Sequence, residues 1–67
     1  MGEYVRNEVQ AFRVRAGITQ EQLASSVGVS RQTIIAIEKG KYTPSVHLAL
    51  KLARYFKKPL EDIFYLS

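Results

Sequence analysis

Between Thr19 and Gly40 the chain alternates helix-start and helix-stop signals at short intervals. Thr19 is a capping residue with Gln22 three positions on, the spacing of a capping box. Gly28 supplies the left-handed backbone that a tight turn needs. Ser30 is a second cap and Gly40 a second terminator. Inside these limits Leu23, Ala24 and Val27, then Ile34 and Ile37, recur at helical spacing. The segment predicts two short helices joined at Gly28, the second opening on Arg31-Gln32-Thr33.

The same signals place three more helices. Asn7 with Gln10 predicts a capping box for a first helix, with Val9, Phe12 and Ala16 as its apolar stripe and Gly17 as its end. Ser45 caps a fourth helix, after a loop through Lys41, Tyr42, Thr43 and Pro44. Its inward stripe is Ala49, Leu52, Ala53 and Phe56, and its outward face His47, Lys51, Arg54 and Lys58. Pro59 suits the first position of a short fifth helix carrying Leu60, Ile63 and Phe64, with Glu61 and Asp62 in its first turn. Glu3 to Arg6 and Phe64 to Leu66 can each be extended, pairing as an antiparallel ribbon.

At 67 residues this is one all-α domain, and a small chain gains stability by self-association. The apolar C-terminal segment 59–67, with Leu60, Ile63, Phe64, Tyr65 and Leu66, is the expected dimerisation surface. There is no cysteine, which fits a reducing cytoplasm. No signal peptide and no membrane-spanning run is legible. The net charge is +4 and the isoelectric point 9.7. From Arg31 to Lys58 there are seven Lys or Arg and one acid, Glu38. Such a band attracts a polyanion.

Catalytic groupings are missing from the sequence. The one histidine, His47, has no carboxylate a helical turn away, and a solvated histidine is the simpler reading. Glu61-Asp62 is explained by first-turn charge. No converging metal ligands and no glycine-rich phosphate loop are present, so neither an enzyme nor a cofactor is expected.

Duplex DNA is the partner that the residues suit. Arginine can give two hydrogen bonds to guanine and glutamine can pair with adenine in the major groove. Arg31 and Gln32 open one helix of the unit and Gln20 the other. Ala36 shares the face of Gln32 and Thr33, where it can meet a thymine methyl or simply leave room. Ser30, Thr33, Lys39, Lys41 and Tyr42 are placed for phosphates. Arg13 and Glu38 fall at the edge of the core and predict an ion pair behind the second helix. Ile35 lies off the apolar stripe, and is expected either to be partly buried against the fourth helix or the following loop or to contact a partner or DNA, with partial burial favoured.

Thr19-Gln20-Glu21, Leu23-Ala24, Val27 to Ile34, Ile37-Glu38, Gly40 to Tyr42 and Pro44-Ser45 together resemble the Cro/repressor-type (XRE-like) helix-turn-helix family. The likeness continues through Leu48 to Ala53 and Pro59 to Phe64. It implies a five-helix bundle of the lambda-repressor type, here a compact single-domain form. It further implies a cytoplasmic, nucleoid-associated transcriptional regulator, usually a repressor, acting as a homodimer on a palindromic operator. By position it makes Gln20, Arg31, Gln32 and Ala36 base-facing. Thr19, Ser30, Thr33, Lys39 and Lys41 then face phosphates. Lys57 departs from the pattern by standing where Gly or Asn is usual, and Lys58 offers no capping oxygen. The competing expectation is an antitoxin-like interaction module with secondary DNA binding.

Overall fold

Thr19, Ser30 and Ser45 each accept a backbone N–H from three residues on, at 3.0, 3.2 and 3.1 Å. Each bond satisfies a donor that a first helical turn leaves open, and each stabilises its helix by about 1 kcal/mol. In order, α1 (Val9–Ala16) is followed by α2 (Gln20–Val27), α3 (Arg31–Glu38), α4 (Val46–Phe56) and α5 (Leu60–Ile63). This computed structural model describes residues 4–67. Within them β1 (Val5–Asn7) and β2 (Phe64–Leu66) form an antiparallel ribbon. Its register is Val5 to Leu66, Arg6 to Tyr65 and Asn7 to Phe64. The expected ribbon is therefore present, although Glu3 lies outside the described residues.

The helices close on one core. Val9, Leu23, Ile34, Ile37, Leu52 and Ile63 are fully buried, so every helix contributes at least one side chain. Phe12, Ile18, Val29, Phe56, Leu60 and Phe64 pack around them half-buried. Phe12 and Phe56 meet with ring centroids 5.6 Å apart, tying α1 to the end of α4. Fully burying a side chain such as Leu52 or Ile34 stabilises by about 1.5–3 kcal/mol.

Lys57 ends α4 in the left-handed region, at φ 58°. Its N–H donates to Arg54 O and that of Lys58 to Ala53 O, both at 3.1 Å, the paired bonds of a Schellman turn. A lysine there carries the Cβ crowding that glycine avoids.

Several expectations need correction. Asn7 is not the cap of α1. It lies in β1, its Oδ1 accepts from Val9 N at 3.0 Å, and no capping box forms with Gln10. Its backbone is committed to the ribbon, so the helix starts two residues later. Ala16 is exposed and not part of the apolar stripe, because α1 ends there and the chain reverses at Gly17. Lys58 lies beyond the end of α4, and Lys51 is half-buried where an outward residue was expected. Pro59 is the residue before α5, not its first, and Phe64 belongs to β2. Ile63, expected at a dimer surface, is sealed in the core. It supports the C-terminal surface from beneath and does not line it.

Candidate nucleic-acid interface

α2 packs more extensively on α3 than any other two elements pack on each other. Gly28 makes the reversal between them at φ 77°. Val29 N then donates to Ala24 O at 3.0 Å, closing the turn. Leu23, Ala24 and Val27 from α2, with Ile34 and Ile37 from α3, form the buried side of the unit. The opposite side of α3 is thereby held outward.

Arg31 and Gln32 are exposed at the first turn of α3. Thr33 and Ala36 are half-buried, and Lys39, Lys41 and Tyr42 are exposed beyond them. Ile35 is half-buried, as expected. Thr19 and Gln22 make both bonds of their capping box: Thr19 Oγ1 accepts from Gln22 N, and Gln22 Oε1 from Thr19 N at 2.8 Å. Because Thr19 Oγ1 is used as an acceptor, its O–H is left to donate to a phosphate. The Ser30 and Thr33 hydroxyls lie 3.1 Å apart. One donates to the other, and the remaining O–H points to no partner within the pair.

Glu38, two turns on from Arg31 at the end of α3, is held by other helices. Glu38 accepts from Arg13 Nε at 2.7 Å and from Arg13 Nη2 at 3.2 Å. Arg13 Nη1 donates to the Ile18 carbonyl at 3.0 Å, and Gln20 Nε2 to Glu38 Oε1 at 3.0 Å. The Arg13 and Glu38 side chains are 13% and 3% exposed. The expected ion pair is thus bidentate, nearly dry, and joined to the first residue of α2. Such geometry fixes the two helices relative to each other.

Gln20 and Arg31 line one open cleft of about 600 Å³, together with Arg13, Gly17, Ile18, Thr19 and Glu21. The structure therefore brings the starts of α2 and α3 to one side, with hydrogen-bonding side chains of both presented together. Two helix N-termini, free hydroxyls and the cations Arg31, Lys39 and Lys41 suit a surface that reads bases and grips phosphates.

A helix-turn-helix family model matches residues 9–63. The chain belongs to the XRE-type helix-turn-helix family of transcriptional regulators. It is 55% identical over 60 residues to an HTH-type transcriptional regulator of Methanocaldococcus jannaschii, covering 90% of this chain and 91% of that one. A regulator of the same type from Bacillus subtilis is 50% identical over 63 residues, with 94% and 96% covered. Among solved structures, the restriction-modification controller protein C.AhdI from Aeromonas hydrophila superposes with a TM-score of 0.75 at 27% identity. That match covers 82% of this chain and 80% of that one.

Other groups of this helix-turn-helix regulator stand apart from the interface. His47 is exposed on α4, and no cluster of three metal-ligating side chains occurs among the described residues. No described helix is long and apolar enough to cross a membrane. Two further contacts, like the Gln20–Glu38 bond, were not legible in the sequence. Asn7 Nδ2 donates to the Ile37 carbonyl at 2.9 Å, tying β1 to the last turn of α3. Tyr65 O–H donates to Glu8, and that bond raises the phenol's pKa above its ordinary value.

Proposed function

We propose that this regulator binds a palindromic operator as a homodimer and represses by occupying promoter DNA. The observation that carries the reading is the exposed Arg31-Gln32 pair on the first turn of α3, a helix anchored at its other end by the Arg13–Glu38 pair. Arg31 and Gln32 read base edges, with Ala36 beside them on the same helix and Gln20 reaching in from α2. Thr19, Ser30, Thr33, Lys39, Lys41 and Tyr42 hold phosphates and set the register.

The dimer is formed through the C-terminal segment 59–67. Leu60 and Phe64 are half-buried there, while Tyr65 and Leu66 are exposed, at 39% and 64%. A two-fold dimer sets two copies of α3 in successive major grooves, roughly 34–36 Å apart. Selection of bound sites from random duplex DNA tests the reading. A two-fold symmetric consensus supports it, and failure to enrich any site defeats it. Sedimentation that shows a monomer at tens of micromolar, with and without that DNA, defeats the dimer.

A further inference from the structure

We infer that Glu38 sets the hydrogen-bonding polarity of Gln20, so that Gln20 meets DNA through its carbonyl oxygen and recognises the exocyclic amine of an adenine or a cytosine. This rests on the proposed base-reading role of Gln20 and names the chemistry of that contact.

A free glutamine presents either end of its amide to a ligand. Gln20 is not free. Its Nε2 lies 3.0 Å from Glu38 Oε1. A carboxylate offers only lone pairs, so the amide must turn its nitrogen toward Glu38 and its oxygen away. Reversal would set two acceptors against each other. The carboxylate cannot swing aside to relieve that, because Arg13 holds both of its oxygens. The Glu38 side chain is 3% exposed, so water does not screen the preference.

The Gln20 oxygen has no hydrogen-bond donor among the described residues, and Gln20 lines the open cleft that also holds Arg31. That oxygen cannot meet a phosphate oxygen, itself an acceptor, although the second Nε2 hydrogen stays free to donate beside it. The oxygen suits a base-edge N–H: adenine N6 or cytosine N4. Gln20 and Arg31 then divide the work. The arginine supplies donors alone, and the glutamine supplies the acceptor, with its second Nε2 hydrogen beside it.

The test uses the full chain and base analogues. Sites are selected with the wild type and with Gln20→Ala, and the base pair whose preference disappears is the one that Gln20 faces. At that pair the amine-bearing base is replaced by its analogue without the exocyclic amine, purine for adenine or 2-pyrimidinone for cytosine. The wild type should lose roughly 5- to 150-fold in affinity, the size of one discriminating base contact. Gln20→Ala should lose nothing further. In Glu38→Gln, whose own amide lets Gln20 turn over, the penalty for amine deletion should shrink. If that variant does not fold, the comparison of wild type with Gln20→Ala carries the test. Amine deletion without effect on the wild type overturns the inference, and so does a Gln20→Ala consensus identical to the wild type. A wild type that selects no consensus defeats sequence reading altogether, and this assignment with it.

Discussion

The Arg13 guanidinium holds the Glu38 carboxylate by two bonds, Nε to Oε2 at 2.7 Å and Nη2 to Oε1 at 3.2 Å. The pair joins α1 to α3, and Arg13 lines the same cleft as Gln20 and Arg31. Removing one partner strands the other charge where water scarcely reaches. Glu38→Ala should therefore cost about 3 kcal/mol, with a melting temperature lower by at least about 10 °C. The double replacement Arg13→Met/Glu38→Met should be more stable than Glu38→Ala, because it leaves no unpaired charge. Thermal denaturation followed by circular dichroism measures both. An unchanged melting temperature in Glu38→Ala would mean that the pair adds nothing.

Lys57 predicts a gain. Replacement by glycine removes the Cβ from a residue held at φ 58° and keeps the two backbone bonds of the turn. Lys57→Gly should stabilise the domain by about 1 kcal/mol or somewhat less, since glycine also loosens the unfolded chain. Urea denaturation checks the sign. A loss of stability would show that the lysine side chain contributes more than its backbone strain costs.

Arg31 and Gln32 are exposed, so their replacement should leave folding intact and act on DNA alone. Arg31→Ala and Gln32→Ala should each weaken operator binding by about 1–3 kcal/mol and relax preference at one base pair. Fluorescence anisotropy on the selected site and its single-base variants measures this. Unaltered affinity and selectivity in Arg31→Ala would remove that side chain from the reading set.

Lys39→Ala and Lys41→Ala should behave differently. Each should weaken binding to every sequence and lower the salt dependence by about one counterion. The slope of log affinity against log salt is the readout. A change of base preference with an unaltered slope would reassign the lysine to base contact.

The course of the chain was legible where local chemistry decides it. Thr19, Ser30 and Ser45 cap helices because a hydroxyl reaches a backbone N–H within one turn, and the observed bonds are those. Arg13 and Glu38 were legible because their neighbours Phe12 and Ile37 lie on apolar stripes. Asn7 was misread because its amide serves a cap or a local turn equally well, and the choice is made by pairing with Phe64. Ile63 was misread for a related reason. A helix as short as α5 shows no periodicity, so nothing local separates a core isoleucine from a surface one. The Gln20–Glu38 bond depends on how α2 crosses α3, which spacing along the chain does not encode.

On the proposed function, α3 reads base edges as one half of a two-fold dimer. Selection of bound sites from random duplex DNA tests it most directly. The expected result is a palindromic consensus with half-site centres about one helical turn apart. Arg31→Ala should lose preference at one symmetric pair of positions. A single unrepeated site, or no enrichment at all, would contradict it.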